Sequence, residues 1–273
     1  VTGVDCHGDG YLKDDPFFEF RRGSVTDRNF LRSVFSETSP THVIHLAYSM
    51  IPLHDRHMEY SIDVTGSMNT LVCSNESTSV RQIVLMSSAS AYGAWPDNPL
   101  WIKEESPLMP KDYRYGIYKK KIEECYSRFQ ARKNLHVVIL RMCTAIGPSY
   151  HKKGGVVSLL AGSPLLPRFD NTFCRLQFIH EYDLCALMDL VLHDDRISGR
   201  YNLAPDSYSS VDELAPGSIF MCIPLKAARA AAAVLWKLRL SSCMPAAMDL
   251  ATYGIVIDPA KIMKRYGYTF RYS

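Results

Sequence analysis

The chain has 273 residues, 47% of them hydrophobic and 22% charged, the make-up of a folded globular chain rather than a disordered or fibrous one. Its 31 basic and 28 acidic residues leave a net charge of +3, too even a balance to indicate nucleic acid or anionic lipid as a partner. The eight cysteines form no CxxC pair and no metal spacing. Several, such as Cys143 in VVILRMC, lie in apolar runs, so buried thiols in a reducing cytoplasm are expected, with no metal and no disulfide. No stretch approaches the ~18 apolar residues of a membrane span. The opening VTGVDCHGDG lacks the basic start and apolar core of a signal peptide.

In chain order, Val1–Val4 stops at Asp5, as a buried strand does. Further strands are expected at Phe17–Arg21, Val43–Ala47, Ile83–Met86 and Val137–Arg141, with helical patterns at 27–37, 57–77 and 112–133 between them. Strands separated by helices pair in parallel through right-handed crossovers. Continuously apolar strands suit a sheet covered on both faces. The expected fold is therefore α/β, with a doubly wound parallel sheet that places ligands at the carboxyl ends of its strands. Past residue 148, Gly and Pro become frequent (GPSY, KKGG, GSPLLP). The division expected is a larger domain over 1–148 and a smaller lobe over 149–273, with segments around 177–204 returning to the larger domain. KAARAAAAVLWKLR at 226–239 reads as a helix packed within the small lobe, in preference to a membrane-surface helix, and no membrane partner is expected. At 200–225, VDELAPGSIF passes from a helix start to an apolar strand with almost no helix between.

Tyr115 and Lys119 are four residues apart in the pattern over 112–133, so they share one helix face. A nearby ammonium favours the phenolate form of a tyrosine, which otherwise titrates near ~10 and is a poor base at neutral pH. By itself this spacing also occurs on solvated helix faces. Before it, the apolar strand IVLM runs into Ser87-Ser88-Ala89-Ser90-Ala91-Tyr92-Gly93. A serine at a strand's carboxyl end is placed to donate to a substrate oxygen, or simply to close a turn.

Together these segments resemble the extended short-chain dehydrogenase/reductase family of NAD-dependent epimerases and dehydratases. The resemblance continues through VIHLA (43–47), IDVTGS (62–67, with Asp63 where the family usually has asparagine), Leu140-Arg141 to Gly147-Pro148, QFIHEYDL (177–184), YNLA (201–204), and Asp258-Pro259-Ala260-Lys261 with Tyr266-Gly267-Tyr268. It covers about three-quarters of the chain, in order. It implies a Rossmann-type fold, catalysis by Ser88, Tyr115 and Lys119, and dinucleotide contacts from Ser24, Val25, Leu46, Ala47, Tyr48, Asp63 and Lys119. It also implies a homodimer formed through the helices near 57–77 and 112–133, on which Met58, Ile62, Met68 and Leu71 have the spacing of an apolar face, suited to this pairing or equally to packing against the sheet.

Asp5, ending a strand, is suited to accept hydrogen bonds from the adenosine ribose hydroxyls and to repel a 2′-phosphate, which favours NAD over NADP. GxxGxxG is absent from this chain. With Asp5 ending the family's second strand, the glycine loop belongs about 20 residues upstream, together with the first strand. That strand is central in the 3-2-1-4-5-6 order, so the sheet is expected to be split. The activity implied is an NAD-dependent epimerase or oxidoreductase acting on a sugar, expected to be nucleotide-linked. Ala89 and Ser90 stand where a dehydratase would carry an acidic pair. Two alternatives are a reductase or dehydrogenase of a non-sugar carbonyl or alcohol, and a non-catalytic dinucleotide-binding protein.

Overall fold

In a computed structural model, which describes residues 1–8, 14–50, 52–149, 164–241 and 243–272, the first apolar runs become strands β1 (Thr2–Asp5) and β2 (Glu19–Arg22), paired in parallel. β2 starts later than its sequence suggests. The Asp15 carboxylate accepts the Phe17 N–H at 2.8 Å in a turn that leaves Phe17 83% exposed, and such a local turn removes a residue from the ladder. Helix α1 (Arg28–Thr38) is capped by Asp27, whose side chain accepts the Asn29 and Phe30 N–H groups.

Strand β3 (His42–His45) leads to α2 (Arg56–Tyr60). That helix passes through a π-helical turn at Ser61–Thr65 into α3 (Gly66–Glu76). Then follow β4 (Gln82–Ser88), α4 (Arg114–Arg128) and β5 (His136–Met142). The 57–77 pattern is thus helical throughout, with one widened turn.

The later chain forms β6 (Thr144–Ile146), β7 (Leu165–Phe169), β8 (Arg175–Leu176), β9 (Phe178–His180), α5 (Glu181–Leu192), β10 (Gly199–Leu203) and β11 (Ser209–Ser210). It closes with α6 (Val211–Leu214), β12 (Ile219–Ile223), α7 (Leu225–Lys237), α8 (Ala247–Tyr253) and α9 (Ala260–Tyr266). The single turn of α6, held by a capping box between Ser210 and Glu213, accounts for the short look of 200–225. KKGG and the first residues of GSPLLP lie outside the described residues.

A four-stranded sheet has the order β10-β5-β4-β3, with β3 and β4 parallel, while β1 and β2 form a separate parallel pair. The sheet is therefore split, with β1 and β2 apart from the other four strands. Three further two-stranded pairs are β6–β9 and β7–β12, both parallel, and β8–β11, antiparallel.

The chain divides into two compact units. The first comprises Val1–Met86, Tyr118–Ile139 and Leu192–Gly199, and the second Ser87–Ile117, Leu140–Val191 and Arg200–Ser273. The first is built on a core of Leu31, Phe35, Val64, Leu71, Ile83, Leu85, Ile122 and Ile139. In the second, a buried polar network joins distant segments. Arg141 donates to the Tyr92 hydroxyl and the Glu104 carbonyl, Tyr92 donates to Asn202 Oδ1, and Asn202 donates to the Ile102 and Asp258 carbonyls. Gln177 pairs both ways with the Ile257 backbone. Asp183 takes the Tyr268 hydroxyl and the Arg271 and Tyr272 N–H groups.

Candidate active site

The first unit assembles its polar centre around Lys119. α4 carries Ile122 and Tyr126 into the core, which sets its roll and turns Lys119 inward until the side chain is almost wholly buried. The ammonium donates to the Met86 carbonyl at 2.6 Å and sits over the Tyr48 ring. Burial pushes its pKa well down, while the charges of Asp63 and Glu123 oppose that shift and favour the ammonium. Asp63 lies on the π-helical turn, a feature that often re-aims side chains at functional sites. Its Oδ1 accepts the Ser49 N–H at 2.7 Å, tying down the loop that follows β3.

His45, also buried, is neutral, since burial lowers its pKa to about 3. Ser67 Oγ donates to the Asp63 carbonyl, so its lone pair is left for a proton on His45 Nε2, 2.8 Å away. The His45 ring meets Tyr48 edge-on. Lys119, Tyr48, Asp63 and His45 are thereby brought into one cluster at the carboxyl end of β3. Leu46 is exposed and Ala47 half-buried just beyond that strand.

In the second unit, β4 ends in a turn that fixes Ser88. The Ser88 Oγ accepts from the Ser90 N–H at 3.2 Å and from the Ser90 hydroxyl at 3.0 Å. A hydroxyl has one proton to give, and with its lone pairs engaged Ser88 is left as a donor. Gly116 brings the first turn of α4 against this serine turn, since a Cβ there would meet the Ser90 carbonyl oxygen at 2.5 Å. The half-buried Tyr115, next to Gly116, packs edge-on to Tyr113. Tyr115 precedes Lys119 by one helical turn.

The remaining expected residues lie in the first unit. Asp5, exposed at the carboxyl end of β1, accepts the His7 N–H at 2.8 Å, which holds its pKa below the usual carboxylate value. Asp5, Cys6 and His7 bring their ligand atoms within 4.8 Å of one another, joined by local bonds in an exposed turn. Ser24 bonds Thr26. Val25 packs where a Cβ on Gly66 would stand, and the Asn69 amide holds the Val25 and Thr26 carbonyls.

For a dinucleotide, the chemistry present fits the two ribose ends: an ionised carboxylate ending β1, and an ammonium with a tethered loop beyond β3. The glycine loop that would cradle the pyrophosphate is not in the sequence. Sequence reasoning missed His45, Ser90 and the Met86 carbonyl. Ser90 was detectable as a serine two residues after Ser88, the spacing of a serine turn. The other two depend on tertiary contacts.

A family model described as the NAD dependent epimerase/dehydratase family matches residues 3–204. The chain belongs to that family. It is 26% identical to the uncharacterized protein y4nG of Sinorhizobium fredii, a match covering 94% of the chain and 66% of that protein. It is 28% identical to a UDP-glucose 4-epimerase of Lacticaseibacillus casei over 54% of the chain and 46% of that enzyme. The chain thus spans between about half and two-thirds of the length of these relatives. Among solved structures, the Thermus thermophilus UDP-glucose 4-epimerase in complex with NAD superposes with TM-score 0.75 at 21% identity, over 100% of this chain and 86% of that one. The Bordetella bronchiseptica enzyme WbmG in complex with NAD gives 0.75 at 23%, over 100% and 81%. These structural likenesses carry the fold, and the family model carries the dependence on NAD.

Proposed function

We propose that the protein is an NAD-dependent epimerase or oxidoreductase of a nucleotide-linked sugar, with Ser88, Tyr115 and Lys119 as its catalytic residues. The observation that carries this reading is Ser88, which Ser90 turns into a hydroxyl donor at the end of β4, in a chain that keeps Tyr115 and Lys119 one turn apart on α4. NAD, when bound, supplies the hydride acceptor. Tyr115 as phenolate takes the proton of a sugar hydroxyl while the adjoining carbon gives up its hydride. Ser88 donates to the same oxygen and holds it during the transfer. Lys119 favours the phenolate and binds the nicotinamide ribose hydroxyls, its own charge supported by Asp63 and Glu123. Epimerisation and net oxidation would both draw on that hydride chemistry. Ala89 and Ser90 offer no acid for eliminating water, which favours these outcomes over dehydration.

In the same reading Asp5 binds the adenosine ribose, Leu46, Ala47 and Tyr48 line the dinucleotide beside Ser24 and Val25, and residues 149–273 mainly hold the sugar. The UDP-glucose 4-epimerases among its relatives support a UDP-sugar as the first substrate to try. Pairing of subunits through α2, α3 and α4 would use the exposed Met58 and Ile117, because Leu71 is committed to the core and Met68 packs against it.

The test is Tyr115→Phe assayed with UDP-glucose and UDP-galactose. Turnover falls by roughly 10²–10⁴-fold, the usual worth of a positioned general base, while NAD affinity by fluorescence titration stays at the wild-type value. Turnover equal to wild type would remove Tyr115 from the mechanism.

A further inference from the structure

From sequence, 226–239 is a helix packed within the small lobe. In the structure the helix packs by one face. Of α7, only Leu225 and Ala232 are buried, with Ala228, Arg229 and Trp236 half-buried beside them. The far side carries Ala227, Ala231, Val234, Leu235 and Leu238, at i, i+4, i+7, i+8 and i+11, which is a single stripe of a helix. Val234 is 57% exposed, Leu235 43%, Leu238 61% and Leu240, just beyond the helix, 72%. Isolated surface aliphatics are ordinary, but a stripe of them marks a contact.

Charge identifies what the stripe contacts. No acidic residue occurs between Glu213 and Asp249. Arg229 is occupied by Asp112 and Asp249, whereas Lys226, Lys237 and Arg239 are all exposed. Lys226 and Lys237, eleven residues apart, fall on the same edge of the stripe. Long lysine stems can lie along an apolar surface with their ammonium groups raised to a layer of negative charge. Two copies of α7 facing each other would bring these like charges together, which disfavours a second copy as the occupant. Among the described residues no helix is long and apolar enough to cross a membrane, so the helix would lie on a bilayer and not through it.

We propose that α7 and the turn after it, Leu225–Leu240, form a docking surface for an anionic lipid bilayer. Val234, Leu235, Leu238 and Leu240 enter the headgroup boundary, and Lys226, Lys237 and Arg239 meet the phosphates. It goes beyond the sequence reading, which expects no membrane partner. It does not depend on the proposed catalytic reaction.

The experiment is co-sedimentation of the full chain with vesicles of phosphatidylcholine alone or mixed with phosphatidylglycerol. The protein is expected to pellet with the mixed vesicles at low salt and to stay in solution with phosphatidylcholine alone. Raising the salt should release it, because exposed charges are screened. Leu235→Glu with Leu238→Glu should abolish pelleting, and Lys226→Ala with Lys237→Ala should weaken it roughly thirtyfold, the effect of two lysines near a charged surface. Thermal melting checks that the variants fold, as substitutions on an exposed face should allow. Failure of the folded wild type to pellet with anionic vesicles overturns the proposal. So does pelleting that the glutamate pair leaves unchanged, or a concentration-dependent dimer that the glutamate pair dissolves, which would give the stripe to a second copy.

Discussion

Asp63 holds a carboxyl group where burial works against its charge. Its pKa is raised from the ordinary 3.8 to about 6, with burial as the main cause and the Ser49 N–H and the Lys119 charge pulling the other way. A carboxyl whose folded pKa exceeds its unfolded value contributes stability fully below about pH 3.8, and that contribution is lost as pH rises through about 6. At neutral pH the protein therefore carries a cost of at most about 3 kcal/mol at this residue, from 1.36 kcal/mol per pKa unit. Asp63→Asn keeps an oxygen for the Ser49 N–H and removes the charge. Its melting temperature should exceed that of wild type at pH 7.5, with the difference closing toward pH 4. No gain at pH 7.5 would mean that the charge costs nothing there. Such a cost is understandable if the carboxylate keeps Lys119 protonated, and the same variant should shift the basic side of the pH–rate profile to lower pH.

At the scale of elements, the helices α3 and α4 meet through specific polar contacts as well as apolar ones. The buried Tyr126 hydroxyl donates to the Ser67 carbonyl at 3.0 Å, and Tyr60 packs edge-on to Tyr118. Along α3, the buried hydroxyls of Ser67, Thr70 and Ser74 each bond a carbonyl one turn back, so the helix can present a polar stripe to a packed interior without orphaned groups. Tyr126→Phe deletes one bond and no volume of consequence. Its midpoint in urea should fall by the equivalent of about 1 kcal/mol, with the slope of the transition unchanged. A loss above about 3 kcal/mol would show that the hydroxyl supports more than the α3–α4 contact.

At the scale of the whole molecule, the motifs that announce the family divide by task. Tyr92, Arg141, Asn202 and Asp258 come from four separate motifs and meet in one buried network of the second unit. They hold that unit together and are not placed among the proposed catalytic groups. Removing one member of such a network leaves the others buried and unpaired. Arg141→Met should cost about 1–3 kcal/mol for each buried group it leaves unsatisfied, a large part of the 5–15 kcal/mol that usually holds a domain folded. A chemical melt within 1 kcal/mol of wild type would show that Glu104 and Tyr92 find other partners.

The alternation of apolar runs and amphipathic stretches determined by itself that strands would alternate with helices, because the period of apolar positions differs between the two. It placed β1, β3, β4, β5 and their helices within a few residues. The Ser88, Tyr115 and Lys119 candidates were legible because their order and spacing lie in one stretch of chain. Only the tertiary structure decided which groups stand around them. The Met86 carbonyl under Lys119, the Ser49 N–H on Asp63 and the exposed side of α7 each depend on segments far apart in sequence. Periodicity shows that a helix has an apolar side, but burial depends on what other chain segments leave uncovered, and no local pattern carries that information.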